Sequence, residues 1–192
     1  MRQMLDKMLD NSIKYTGRFG GFTARAMWGI GEVAAQASAL SSHGVGLAYG
    51  ASGFAVSGAY QSFKDTNQRT LDGATLGAAY QWNTVRLAAN AARSEAETAV
   101  GKHTVQRVFS AGATWSVTPL FDLTAAYYKV DRTRTGAADD GYGRLVAFAE
   151  YKLSRRTKVY AELDNTRWRN GFQGAANKAM ATGISAGVVH TF

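Results

Sequence analysis

The chain of 192 residues has no cysteine and one proline. Without cysteine there is no disulfide framework, no thiolate zinc site and no cysteine nucleophile. This usage is compatible with an oxidising envelope compartment. Twenty-one glycines against one proline is an unusual balance for a loop-rich soluble protein. No run of about 18 apolar residues exists, which excludes a transmembrane helix. It does not exclude a membrane strand, which needs only about 9–11 residues with every second one apolar. A mean hydropathy of −0.21 is what alternating strands give. Carboxylates are also scarce, 14 against 22 Lys and Arg, for a net charge of +8. Such a balance suits nucleic acid, an acidic surface or an anion pathway. A nucleic-acid binder would gather its cations in one stripe or helix. Here they scatter over turns, loops and one strand face, so no nucleic-acid partner is expected. His43, His103 and His190 stand apart without metal-ligand spacing, and no metal or other cofactor is expected. The amino terminus, MRQMLDKMLD, has neither the apolar core nor the small-residue cleavage site of a secretory signal. A product made only of these residues is therefore expected to remain unfolded inside the cell.

What is present is periodicity. Met1, Met4, Leu5, Met8 and Leu9 fall at helical spacing and predict a short amphipathic helix over 1–10. After Asn11 the period becomes two and stays there. Ile13 and Tyr15 alternate with Ser12, Lys14 and Thr16. Phe22, Ala24, Ala26, Trp28 and Ile30 alternate with Thr23, Arg25, Met27 and Gly29. The pattern repeats to predict eleven strands. Short turns at 17–20, 50–53, 83–84, 118–120 and 154–156 take turns with longer polar connections at 31–43, 64–68, 95–102, 131–141 and 165–181. An antiparallel meander with tight turns at one rim and long loops at the other is the pattern of a transmembrane β-barrel. A soluble sandwich would use Greek-key connections. The apolar faces carry aromatics near their ends, among them Trp28, Tyr49, Phe54, Tyr60, Tyr80, Trp82, Trp115, Phe121, Tyr127 and Tyr151. These predict two aromatic girdles around an apolar band. The last strand ends on Val188, His190 and Phe192 of one face, an outward aromatic at the tip.

The opposite face carries Lys14, Arg25, Arg86, Arg144, Lys152 and Lys158 with Asp122, Glu150, Glu162 and Asp164. So many charges cannot line a dry core; they suit a water-filled lumen. Those of 150–162 are expected to pair across strands. Enzymatic readings compete poorly. Gly29-Ile-Gly31-Glu-Val-Ala34 matches a dinucleotide-binding string, but period-two strands surround it where a βαβ unit is required. A Ser94–His103 hydrolase pair is conceivable, yet nothing in the sequence fixes its geometry.

Several phrases together carry a resemblance. Asp10-Asn-Ser-Ile-Lys-Tyr-Thr16, Phe19-Gly-Gly-Phe-Thr-Ala24, Tyr151-Lys-Leu-Ser-Arg-Arg-Thr-Lys-Val-Tyr160 and Val188-Val-His-Thr-Phe192 resemble the general porins of Gram-negative bacteria, in their beta-proteobacterial branch. The resemblance covers essentially the whole chain. It implies an outer-membrane location and a trimeric, sixteen-stranded barrel for passive diffusion of small hydrophilic solutes. The eleven strands here would correspond to the sixth to the sixteenth, so the chain reads as a truncated porin, with doubtful trimerisation and conduction of its own. Residues 1–10 would be the tail of the loop that constricts the pore. The resemblance implies no enzymatic activity. It makes Lys14 the first candidate for the constriction, followed by Arg25 and Arg86, with Asp6 and Asp10 as loop carboxylates. It makes Phe192, His190 and Val188 the signal read by the barrel-assembly machinery, and outer-membrane lipid the surrounding partner.

Overall fold

In a strand, successive side chains point to opposite faces, so one apolar alternation sustained through the chain yields a sheet with one greasy side. A computed structural model describes residues 12–31, 39–174 and 178–192. The helix expected over 1–10, with Asp6 and Asp10, lies outside the described residues. The eleven expected strands are all present. They are β1 (Ser12–Phe19), β2 (Phe22–Gly29), β3 (Ser42–Ala51), β4 (Phe54–Lys64), β5 (Thr70–Trp82), β6 (Val85–Ala99), β7 (Lys102–Thr118), β8 (Phe121–Arg134), β9 (Ala137–Lys152), β10 (Thr157–Arg169) and β11 (Met180–His190). They form one all-antiparallel sheet in sequence order, each strand paired with the next. The β2–β3 connection joins antiparallel neighbours, so the glycine string at 29–34 has no parallel β-unit around it.

The registers place the alternation as expected. One hydrogen-bonded row runs Phe19, Phe22, Tyr49, Val56, Ala78, Ala89, Ala111, Tyr127, Leu145, Asn165, Thr182 across all eleven strands. It begins beside a short turn and ends beside a long loop. That obliquity is the tilt of strands that wind around a barrel axis. Phe22 packs on Tyr49 with ring centroids 4.5 Å apart and Phe121 on Tyr151 at 6.4 Å, cross-strand aromatic pairs at the short-turn rim. Among the described residues nothing packs over the apolar face: Leu76, Trp82 and Ile184 are 61, 63 and 83% exposed. Among the described residues only Ala39 and Val130 are buried hydrophobics. A sheet without a core and with this much exposed apolar surface needs an apolar solvent on that side.

Two boundaries differ from the expectation in an informative way. Residues 95–102 and 131–141 are not irregular loops. β6 continues to Ala99 and β8 to Arg134, and two-residue tips, Val100-Gly101 and Thr135-Gly136, close the hairpins. Gly101 (φ 68°) and Gly136 (φ 77°) supply the left-handed residue each tip needs. The charged side chains that look like loop composition are cross-strand partners in strands that rise past the apolar band. At the other rim the first turn is Gly20-Gly21, because Gly17, Arg18 and Phe19 still pair with Ala24, Thr23 and Phe22.

Candidate functional site: the inward face

The polar face of the sheet divides into two walls of different electrostatic character. On β8–β10 the inward cations are Arg132, Arg134, Arg144, Lys152 and Lys158, and the inward carboxylates are Asp122, Asp140, Glu150, Glu162 and Asp164. Every one of these ten groups is in an ion pair. Lys152 Nζ lies 2.7 Å from Asp122 and Lys158 Nζ 2.9 Å from Glu150. Arg144 bridges Glu162 at 3.3 Å and Asp164 at 3.2 Å. Of the four residues of 150–162 expected to pair across strands, Glu150 and Lys158 pair with one another, while Lys152 turns to Asp122 and Glu162 to Arg144. Such partners are available because diagonal neighbours one strand away lie within reach of long side chains. Nearest the long-loop rim, Arg132 donates twice to Asp140, through Nε at 2.7 Å and Nη2 at 2.6 Å, and Arg134 Nη2 donates at 2.6 Å. Asp140 is 1% exposed. The Arg132 hydrogen bonds hold its carboxyl below the usual carboxylate range, against the opposing effect of desolvation, with help from the charges of Arg134 and Arg169. Arg132 also lies 4.3 Å from the centroid of the Phe172 ring, and Asn170 donates to the Asp139 carbonyl at 2.7 Å. The β8–β9 and β10–β11 hairpins are thus clamped together by one ionic and aromatic cluster.

The wall formed by β1–β7 is different. Apart from Lys102, which starts β7 at the hairpin tip beyond a register shift, its inward face by register holds Lys14, Arg18, Arg25 and Arg86 and no carboxylate. All four cations are exposed. Among the described residues none of them is in an ion pair. Between them the face is floored by small side chains. Ala48, Ser57, Gly77, Ala88, Asn90, Ser110, Gly112 and Thr124 line a trough of about 730 Å³, with Arg86 as its charged edge. The structure brings two of the predicted site residues together: Lys14 and Arg25 are diagonal neighbours on paired strands, about 7–8 Å apart. Arg86 is not part of that pair. It stands four strands from Arg25, about 19 Å across the sheet at the usual inter-strand spacing, and is further displaced along β6, where the row of Arg25 arrives at Ala92. Arg18 escapes a sequence reading that assigns 17–20 to a turn. Arg132, Arg134 and Asp140 escape it through their assignment to a loop. Carrying the parity of Asp122 forward through Val130 would have reached Arg132 and Arg134.

The remaining candidates separate cleanly. Ser94 faces inward and His103 outward, where His103 Nδ1 lies 3.4 Å from Glu95. They cannot act as a nucleophile and its base. His190 accepts or donates a 2.8 Å hydrogen bond with the Thr157 hydroxyl, and Phe192 packs edge-on against its ring at 4.9 Å. Phe192 itself projects fully into the surroundings. Among the described residues no group of His, Cys, Asp and Glu could hold a metal ion.

Solved structures share this arrangement. An anion-selective porin from Comamonas acidovorans superposes with a TM-score of 0.81 at 21% identity, over 96% of this chain and 60% of that one. Outer-membrane-expressed OmpT of Vibrio cholerae gives 0.72 at 16% identity, over 96% and 67%. A trimer form of the same Vibrio protein gives 0.68 at 16% identity, over 94% and 62%. The chain thus spans about 60% of the length of the first of these structures. No curated protein matches it by sequence. The sequence profile of the Gram-negative porins matches residues 6–171, most of the chain and ten of the eleven strands. With the apolar outer face, the charged inner face and the meander already in place, the chain belongs to the Gram-negative porin family.

Proposed function

We propose that this sheet is the larger part of the wall of an outer-membrane diffusion pore, passing small hydrophilic solutes without turnover and favouring anions. The observation that carries the reading is the imbalance of the inward face: ten charges that cancel on β8–β10, and four cations without a counter-charge on β1–β7. A pore selects by the field of the side chains that line it, and a paired wall contributes little to that field. Lys14 and Arg25, close together, set the strongest local potential in this reading, and Arg86 adds a second, separate one. The outer-membrane lipid is the solvent of the apolar face. The barrel-assembly machinery and a homotrimer are the partners this reading implies.

A second reading, a barrel remnant that does not conduct, is favoured by the sheet's edges. Among the described residues β1 pairs only with β2 and β11 only with β10. With eleven strands in a meander, β1 and β11 run in the same direction. An antiparallel seam therefore needs an odd number of further strands between them. Left open in lipid, each edge would expose unpaired backbone groups at several kcal/mol apiece.

Planar-bilayer recording on refolded chain, with heat-shifted gel mobility as the folding control, separates the two. Discrete conductance steps with a reversal potential on the anion side support the pore. The triple variant Lys14→Gln/Arg25→Gln/Arg86→Gln should move the reversal potential toward zero while the step size stays. Folded protein that gives no steps supports the remnant. An unchanged reversal potential in the triple variant sinks the assignment of selectivity to these residues.

A further inference from the structure

The outward face holds a second charged region that the pore does not use. Beyond the aromatic level of Phe109 and Tyr127, on the long-loop side, the outward positions change from apolar to basic: Arg93, Arg107, Lys129, Arg167 and Arg169. Four carboxylates share this belt, and the one nearest the hairpin tip, Glu97, stands opposite His103. Glu95 is taken by Arg93 at 2.7 Å and lies 3.4 Å from His103. Asp131 is taken by Lys129 at 3.2 Å and by Arg169. Asp72 accepts the Tyr60 hydroxyl at 3.0 Å. Arg107 and Arg167 have no partner among the described residues. Arg93 and Arg107 moreover stand directly opposite one another on paired strands, a like-charge juxtaposition that costs stability unless an anion sits between.

Within the belt the register builds a cradle. Lys129, Gly143 and Arg167 are consecutive partners in one row across β8, β9 and β10, and Asp131, Gly141 and Arg169 form the next row. The two cations of the first row are two strands apart, about 10 Å, and the residue between them in that row is a glycine. The Tyr127 ring leans over Gly143, its hydroxyl 2.8 Å from where a Cβ would stand, and so presents a hydrogen-bond donor between the two cations. Tyr127, Leu145 and Asn165, with Arg169 and the carboxylate of Asp131 that Lys129 and Arg169 hold, complete a groove of about 480 Å³, in which the cations outnumber the carboxylate. Below it the same strands present Ala125, Ala147 and Leu163 of the apolar band.

We propose that this groove holds the phosphate of an anionic membrane lipid between Lys129 and Arg167, with Arg107 and Arg93 extending the site along the belt and the acyl chains lying on the apolar strands beneath. Charge complementarity selects an anion. The apolar wall directly below selects an anion attached to a hydrocarbon tail, and the position beside an aromatic row is the headgroup level of a bilayer. The proposal rests on the reading of the outward face as lipid-facing, not on conduction.

The test is native mass spectrometry of the folded chain in a non-ionic detergent, with added phosphatidylglycerol, phosphatidylcholine or inorganic phosphate. Phosphatidylglycerol should be retained in preference to phosphatidylcholine. Lys129→Ala/Arg167→Ala should weaken that retention about thirtyfold, the loss of two membrane-facing cations. Lys14→Ala, on the inner face, should leave it unchanged. Should the double variant fail to fold, Arg167→Gln alone carries the same comparison with a smaller loss. Equal retention of the two lipids, or full retention by the folded variants, overturns the proposal. Displacement of phosphatidylglycerol by an equal concentration of inorganic phosphate means a free-anion site and overturns the lipid assignment. A dimer mass with no lipid bound assigns the groove to a second copy instead. Conductance measured on the same material is independent of all these outcomes, so failure of the pore reading is seen separately.

Discussion

Replacing Asp140 by Asn removes the charge at the centre of the clamp while keeping its shape. The wild-type carboxylate accepts three short bonds, two from Arg132 and one from Arg134, at 2.6–2.7 Å. It is 1% exposed, whereas the Arg132 and Arg134 side chains are 25% and 41% exposed. Breaking a buried pair typically costs about 3–5 kcal/mol, because the partner charge is left uncompensated. The lower end applies here, since both arginines can turn to water and the amide oxygen still accepts one bond; about 3 kcal/mol is expected. For a chain of this size that lowers the melting temperature by roughly 6–12 °C. Two further results should accompany it. Arg132→Ala should cost more than Arg134→Ala, since Arg132 makes the bidentate pair and stacks on Phe172. The pH dependence has a fixed sign. The carboxyl of Asp140 is held below its unfolded value, so its contribution is fully present above the ordinary carboxylate range and is lost only as pH falls through the lowered value. The wild type should lose stability over that acidic window, and Asp140→Asn should show no corresponding step. Thermal unfolding followed by circular dichroism in detergent, with the temperature of gel-mobility conversion as a second readout, measures both. A melting temperature within about 2 °C of wild type, or an identical acid profile, would refute the clamp.

Three other expectations follow from the same geometry. Gly187 faces Tyr160, whose hydroxyl would lie 2.6 Å from a Cβ and whose ring stacks on Phe148 at 5.5 Å; Gly187→Leu should cost about 1–3 kcal/mol as overpacking, seen as a lower melting temperature, whereas Gly46→Ala, where the nearest atom is at 3.6 Å, should be close to neutral. Ala147 sits mid-band on the outward face between Ala125 and Leu163; Ala147→Arg should destabilise the membrane-embedded form by about 2–4 kcal/mol, and an equal effect from an inward substitution such as Ser185→Arg would contradict the assignment of faces. Deleting Phe192 should reduce the amount of heat-shifted barrel recovered from cells while leaving refolding in detergent unchanged, because the residue covers only the His190 ring; equal loss in both would make its role structural.

The strand order, the faces and most of the charge inventory were legible because a period of two admits one assignment once one face must be apolar. Lys14, Arg25 and Arg86 are inward for that reason alone. The ends of the long hairpins were not legible. In Ser94-Glu-Ala-Glu-Thr98 and Asp131-Arg-Thr-Arg-Thr135 the outward face is no longer apolar, so alternation between charged and small polar residues looks like loop composition. Those stretches are strand because their charges find partners across the hairpin, a long-range fact that local pattern does not contain. Arg132, Arg134 and Asp140 were hidden by the same cause, and so was Arg167 of the basic belt; Arg107 lies in an expected strand, where a single cation interrupts the apolar face. Which carboxylate each cation chooses also lies beyond pattern: Lys158 faces Lys152 in register yet pairs with Glu150, because the diagonal partner carries the opposite charge.

If the sheet lines a pore as proposed, its unequal walls predict an anion preference that depends on salt. Lys14 and Arg25, about 7–8 Å apart as diagonal neighbours, sit within one Debye length of each other at 0.1 M salt, where that length is about 10 Å. An anion near them therefore feels both charges at once. Arg86, about 19 Å across the sheet and further displaced along β6, lies beyond it and acts alone. On β8–β10 each cation has a carboxylate within 2.6–3.3 Å, so the field of that wall falls off faster than that of a free charge at any ionic strength. Raising the salt to 1 M shortens the screening length to about 3 Å, which separates Lys14 from Arg25 electrostatically. Anion preference, read from reversal potentials in fixed-ratio gradients, should then decline steeply between 0.1 and 1 M. Arg25→Gln should flatten that decline more than Arg86→Gln does, because only the former breaks a cooperating pair. A preference constant across this range would mean that selection arises from pore size or from groups outside the described sheet, and the two-wall argument would fail.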